Sequence, residues 1–495
     1  MDMRASGILL PIFSLPSPYG IGNLGKEAFL FVDFLKKAGQ RYWQILPLNP
    51  TNFGDSPYQS FSSSAGNPYF IDLDTLCQEG LLKAEEYVTV NFGDGEEVNY
   101  EKLYQHRLAV LRKAFARFDK ADQEYNRFCR EETDWLEEYV LFMALKEANS
   151  GKSWREWPKP LMFRQANVLA DMRQQLADTM EFYRFLQFLF YRQWFHLKAY
   201  ANEQGVRIIG DMPIYVADDS VDVWANTQLF DLDEQLVSRV VAGCPPDAFC
   251  PDGQLWGMPV YDWQYMREET EPYQWWRQRV KRALQIYDVV RIDHFRGLES
   301  FFCIPYGAET AKTGVWRKGP GMELIRHLKT DHGGKLPIIA EDLGFMTQAV
   351  RELLAESGFP GMKILQFAFD THEESEYLLH NHTRNCVVYT GTHDNDTVLG
   401  WVATASTEEV DYAKQYLGVD KTEELPWAMI RAAMMSTADL AIVPLADCLE
   451  LGSEARINTP STLGNNWRWR IGAEDISDKL AAALRRMTAL YSRLG

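Results

Sequence analysis

Eight short apolar runs recur along this chain: QILPL (44–48), YFIDL (69–73), VRIIGD (206–211), VVRID (289–293), PIIAED (337–342), KILQFAF (363–369), CVVYT (386–390) and AIVPLAD (441–447). They are rich in β-branched and apolar residues and show little alternation, the pattern of parallel strands covered on both faces. Segments with helical periodicity, at 272–286, 321–329 and 345–357, lie between several of them. Strands alternating with helices predict an α/β architecture, and eight such units close a (β/α)8 barrel. On this reading residues 1–74 begin the barrel and 206–495 complete it, ending in an amphipathic helix over 474–494. Two stretches break the rhythm. Residues 75–205 read as a mostly helical insertion, and 225–270 as a long, aromatic-rich loop beside the C-terminal mouth of the barrel.

Three acidic residues stand just beyond strand-like runs: Asp293 after VVRI, Glu341 after PIIA, and Asp394 in the TGTHDND turn after CVVYT. Parallel strands of one barrel deliver such positions to a shared mouth. Two carboxyl groups and a third acid in a cleft are the equipment for breaking a glycosidic bond. Arg291 and Asp293, two apart on a strand, share a face. The guanidinium should favour the ionised carboxylate that a nucleophile needs. Glu341, ending a very apolar run, should hold its proton more tightly, as a general acid must. Taken singly, each acid could instead cap a helix or pair with a base; the matching positions of all three favour a site.

A net charge of −18 argues against a nucleic-acid partner, since phosphate binding needs a basic footprint. No run approaches the roughly 20 apolar residues of a membrane span. The first 25 residues contain prolines and glycines where a signal peptide would be apolar. Seven scattered cysteines fit a reducing compartment, so a cytoplasmic protein is expected. No Cys/His cluster has metal-site spacing, and neither metal nor cofactor is expected.

An ordered set of motifs runs almost end to end: GILLPIFSLPSPYGIGNLG (7–25), DSPYQSFSSSAGNPYFIDL (55–73), GDMPIYVADDSVDVWANTQLFDLD (210–233), PDGQLWGMPVYDW (251–263), RIDHFRG (291–297), IAEDLG (339–344), TGTHDNDT (390–397) and RINTPSTLGNNWRWR (456–470). In these segments the chain closely resembles the 4-α-glucanotransferases, the amylomaltases or disproportionating enzymes of the α-amylase clan. The resemblance implies Asp293 as nucleophile, Glu341 as general acid/base, and Asp394 as the third acid gripping sugar hydroxyls. Arg291 would orient Asp293, His294 and His393 would bond the sugar at the cleavage site, and Asp211 would support the site. Gln254 and Trp256 match sugar contacts, and Tyr58 matches an aromatic platform. Asp247 and Phe249 lie in a stretch resembling a flexible lid. Asn458 shapes a turn, with a secondary sugar contact. The implied substrates are maltooligosaccharides and α-1,4-glucans as donors, with glucose or another glucan as acceptor.

Ser64, Ser461, Cys244 and LLHNH (378–382) depart from the family pattern, but none of them touches the three acids. An α-amylase-like hydrolase and a glucan-binding protein with a dead barrel are the alternatives. The first lacks an evident calcium-site acid cluster. The second has no need of three converging acids.

Overall fold

The computed structural model describes residues 4–93, 95–246, 251–371 and 375–494. Within them twelve strands occur in chain order: β1 (Ala5–Leu9), β2 (Tyr42–Gln44), β3 (Arg207–Met212), β4 (Val240–Cys244), β5 (Gln254–Pro259), β6 (Val289–Ile292), β7 (Ser300–Pro305), β8 (Val315–Lys318), β9 (Ile338–Ala340), β10 (Gly361–Ile364), β11 (Cys386–Tyr389) and β12 (Leu440–Pro444). Eight are parallel, in the order β10-β11-β12-β1-β2-β3-β6-β9. β1, β6, β9 and β11 are buried at every residue, which explains their lack of alternation.

The two ends of this sheet meet at β9 and β10. Ala340 N–H donates to Pro360 O at 2.9 Å. The next link is made by a side chain: Met362 N–H donates to Asp342 Oδ1 at 2.6 Å. Gly361 makes room for that carboxylate, since a Cβ there would lie 2.5 Å from Asp342 Oδ2. The nearly closed barrel is thus sealed by a carboxylate standing in for a main-chain acceptor.

The strands differ from expectation in three places. β1, ASGIL, replaces YFIDL as a barrel strand. Its small residues hid the β-branched signature, and they are needed: a Cβ on Gly7 would lie 2.4 Å from Tyr42 O. YFIDL instead forms a 3-10 turn (Pro68–Phe70) and opens a helix (Leu73–Gln78) whose Asp72 cap accepts Thr75 N–H at 2.7 Å. β2 also starts earlier than QILPL and stops at Gln44, while β10 ends at Ile364 in a 3-10 turn rather than running through KILQFAF.

Residues 75–205 contain the helices Tyr100–Phe115, Gln123–Glu131, Thr133–Ala148, Ala166–Gln175 and Ala177–Glu203. The last returns the chain to β3. Two buried amides on it bond, in both directions, the segment that leads through the 3-10 turn to the helix Leu73–Gln78. Gln187 accepts Gly66 N–H (2.7 Å) and donates to Gly66 O (2.9 Å), and Gln193 does the same at Asp72 (2.7 and 3.3 Å). Inside an apolar stripe such fully satisfied amides specify one register, here that of the segment following Tyr58.

The 225–270 region is not the irregular loop that its composition predicts. It contributes β4 and β5 to an antiparallel sheet of order β5-β4-β7-β8. The pairing of β4 with β7 spans a long stretch of sequence, which local pattern cannot reveal. At the opposite end of the barrel, buried Arg493 donates to the carbonyls of Met434 (2.8 Å), Ala5 (2.8 Å), Ser436 and Ala438 (both 3.0 Å). No helix among the described residues is long and apolar enough to cross a membrane.

Candidate active site

The C-terminal ends of β3, β6, β9 and β11 form one rim, where side chains of barrel enzymes collect. Asp211 lies in β3, Asp293 follows β6, Glu341 follows β9, and His393 and Asp394 follow β11. The ladder continues past the strands: Asp293 N–H donates to Met212 O and Glu341 N–H to Ile292 O, both at 3.0 Å. The two acids are therefore fixed at their main chains as well as at their side chains.

Arg291 points into the barrel with Asp293, as strand parity requires. A single guanidinium nitrogen, Nη1, lies 2.8 and 2.7 Å from the two Asp211 oxygens and 3.0 Å from Asp293 Oδ1. Asp211 and Arg291 are each only 2% exposed, so the pair holds charge in a dry place, where partnered charges are tolerable. Burial pushes the Asp293 carboxyl up to about 6, against the opposing pull of Arg291. The guanidinium thus acts in the expected direction, but desolvation outweighs it.

Glu341 Oε2 accepts His294 N–H at 2.7 Å, and Oε1 accepts Leu343 N–H at 2.8 Å. His294 has a left-handed backbone (φ 51°), uncommon for a residue with a Cβ. That turn directs its N–H to the neighbouring strand's acid. Burial pushes Glu341 up to about 8, with Arg291 pulling down and the Asp293 charge adding to the rise. Glu341 therefore keeps a proton at a pH where Asp293 has lost its own.

The His294 ring meets Trp256 edge to face, with centroids 4.8 Å apart. Burial, then Arg296, pushes its pKa down to about 3, so the ring is neutral. Among the described residues its Nε2 has no partner. Trp256 Nε1–H donates to Gln254 Oε1 at 3.0 Å, and both stand on one face of β5.

The Tyr58 hydroxyl donates to Asp211 Oδ2 (2.8 Å) and lies 2.9 Å from His393 Nε2. A hydroxyl has one proton, so Nε2 carries the second one and donates to the Tyr58 oxygen. The same Nε2 lies 3.4 Å from Asp394 Oδ2. The Tyr58 and His393 rings stack at 5.2 Å, so this aromatic is a connector as well as a surface. Asn458 Nδ2 donates to Asp394 Oδ1 at 2.6 Å, and Asn458 N–H donates to His393 O at 3.1 Å. Asn458 thus holds the third acid itself, a larger part than a turn-former's.

The structure brings together Tyr58, Asp211, Gln254, Trp256, Arg291, Asp293, His294, Glu341, His393, Asp394 and Asn458. Asp247 and Phe249 lie outside the described residues. Two supporting acids escaped the motif reading. Asp342 seals the barrel beside Glu341, and alternation along PIIAED could have pointed it away from the cleft. Asp447, buried past β12, accepts Thr390 Oγ1–H (2.5 Å) and Val398 N–H (2.8 Å), bracketing the turn that carries Asp394. Among the described residues no His, Cys, Asp and Glu cluster could hold a metal ion.

The comparisons with known proteins agree with one another. The family model described as 4-alpha-glucanotransferase matches residues 10–474. A 4-alpha-glucanotransferase of Clostridium butyricum is 47% identical over 486 residues, covering 97% of this chain and 99% of that protein. One of Streptococcus pneumoniae is 47% identical over 499 residues, covering 100% and 98%. An amylomaltase from Streptococcus agalactiae, solved in complex with acarbose, superposes with a TM-score of 0.95 at 42% identity, covering 99% of both chains.

Proposed function

Because this chain belongs to the 4-alpha-glucanotransferase family, we propose that Asp293, Glu341 and Asp394 carry out its transfer of α-1,4-glucan segments by double displacement. In the first step an Asp293 oxygen attacks the anomeric carbon. The glycosidic C–O bond breaks, and Glu341 protonates the departing 4-oxygen. A glucosyl ester on Asp293 results, with the anomeric configuration inverted once. In the second step Glu341, now ionised, takes the proton from an acceptor 4-hydroxyl, which displaces Asp293. The second inversion restores the α-bond, the outcome of a retaining carboxylate pair.

The observation that carries this reading is the unequal treatment of two buried acids. Asp293 sits against Arg291 Nη1, while Glu341 accepts two main-chain N–H groups and is pushed higher. Unequal environments sort a nucleophile from an acid. Asp394, steadied by Asn458, and the neutral His294 with its unpartnered Nε2 are suited to sugar hydroxyls. Tyr58 and Asp211 keep Arg291 and His393 in place. Trp256, its indole N–H held by Gln254, supplies an apolar face that would disfavour water as acceptor.

Donors are read as maltooligosaccharides and α-1,4-glucans, and acceptors as glucose or a second glucan. The scattered cysteines support a reducing, cytoplasmic place of action. The test is incubation with maltotriose while glucose, chain lengths and total reducing ends are followed together. Disproportionation releases glucose, lengthens other chains and leaves reducing ends constant. Rising reducing ends with only shorter products would make it a hydrolase.

A further inference from the structure

Two loops leave the rim side by side, one from each acid of the reacting pair. After Asp293 and His294 a 3-10 turn (Phe295–Leu298) carries Arg296; after Glu341 the chain reaches Phe345 in four residues. The antiparallel sheet stands against them. Its register pairs Phe302 with Trp316 and Ser300 with Lys318, which puts these four on one face. Between that face and residues 345–349 runs a groove of about 320 Å³, lined in part by Arg296, Glu299, Trp316, Lys318, Phe345 and Thr347. Its size falls within the range of small-molecule sites, roughly 300–1,000 Å³.

Three features of the groove favour a sugar. Phe345 is 67% exposed and Trp316 37% exposed, and exposed aromatics flanked by hydroxyl-bonding groups suit a ring with apolar C–H faces and polar edges. Lys318 and Glu299, ion-paired with each other, supply both donors and acceptors, as vicinal hydroxyls require. Arg296 is only 3% exposed. Its guanidinium lies 3.8 Å from the Trp316 ring centre and donates to Phe345 O and to Ser300 Oγ, yet among the described residues its Nε–H has no partner. A donor so buried and unpaired marks a missing acceptor. A simple anion would meet the Glu299 carboxylate, and a lipid tail would meet four charged groups, Arg296, Glu299, Arg317 and Lys318.

We propose that this groove is a remote glucan subsite on the acceptor side, in which Phe345 packs on a sugar ring and Arg296, Lys318, Glu299 and Thr347 face its hydroxyls. The side follows from the chain path. Glu341 handles the oxygen shared with the leaving or incoming glucan, and Phe345 continues directly from it. This inference rests on the transferase reading above, and it adds a preference for acceptors long enough to reach beyond the cleavage site.

The test is calorimetric titration of maltotriose and maltohexaose into the Asp293→Asn protein, which does not consume them. Adding Phe345→Ala should weaken maltohexaose about two- to tenfold, the worth of one aromatic contact, with a much smaller effect on maltotriose. Phe345→Tyr should restore the difference. Phe345 is exposed, so loss of its ring does not threaten folding. Equal affinities with and without the ring, for both sugars, would overturn the groove and leave the transferase reading standing. Failure of the Asp293→Asn protein to bind either sugar, together with no turnover of maltotriose by the unmodified enzyme, would overturn both.

Discussion

Glu341 Oε2 accepts the main-chain N–H of His294 at 2.7 Å, so the acid at the end of one strand is held by the residue that follows the acid of the next. A shift of either strand end is transmitted to both carboxyl groups. The pair behaves as one rigid unit, which a reaction needing two acids at fixed separation demands.

The first consequence is a bell-shaped pH profile for kcat/KM. Asp293 must be ionised, so activity rises as pH passes about 6. Glu341 must be protonated, so activity falls as pH passes about 8. Initial rates of maltotriose disproportionation across pH 4–10 read both limbs; a profile flat from 5 to 9 would remove these two groups from the reaction.

Replacing Glu341 by Gln should lower kcat by about 10²–10⁴-fold, while a glucosyl fluoride, which needs little acid help, still loads Asp293. Intact mass detects the adduct. The same variant has a stability signature. A folded-state pKa raised to about 8 contributes stability that is complete below the unfolded value and is lost as pH rises through the folded one. The melting temperature of Glu341→Gln relative to wild type should therefore climb between about pH 4.3 and 8 and then level off. An amide N–H placed against a main-chain donor shifts the whole curve, but not its slope.

Tyr58→Phe keeps the ring stacked on His393 and removes the hydroxyl shared by Asp211 and His393. Loss of a hydrogen bond to a buried charge, about 1.5–3 kcal/mol, predicts a fall in kcat/KM of about 10- to 100-fold. Thermal stability should change far less than for a core truncation. A variant with wild-type kinetics would show that the connection does not matter to catalysis.

At the seam between β9 and β10, Asp342→Ala leaves the buried Met362 N–H without its acceptor, a loss of about 1–3 kcal/mol. Asp342→Asn retains an acceptor oxygen and should recover most of the stability. Urea titrations of the two variants separate the missing bond from the missing charge.

Arg493→Ala removes a donor from each of four carbonyls at the end of the barrel opposite the site, leaving Arg4 still bonded to those of Met434 and Ala438. At least about 3 kcal/mol should be lost, with kcat of the folded protein retained at low temperature. Lys at this position keeps the charge but not the planar fork, so it should fall between the two.

The acids were legible because a parallel strand's end is a strong local signal, and strand parity alone paired Arg291 with Asp293. What escaped depends on contacts across the chain. Gly7 in β1 is small because Tyr42 O lies close, and smallness reads as weak strand character. YFIDL looks like a strand because its apolar residues are buried, but its Asp72 caps a helix instead. β4 and β5 went unseen because their sheet is completed only by β7 and β8. Asp342 looked like a neighbour of the important acid, when its work is on the far side of the strand.

β1 lies between β2 and β12, and this sets a delay during synthesis. One edge of β1 can find β2 almost as soon as both are made. Its other edge waits for residues 440–444, roughly 20–90 s later at about 5–20 residues per second. Throughout that interval a buried strand shows an open row of main-chain groups to whatever is nearby, the template for wrong pairing. A nascent chain halted before β12 should accordingly be a strong client for chaperones, and release past residue 444 should end that dependence.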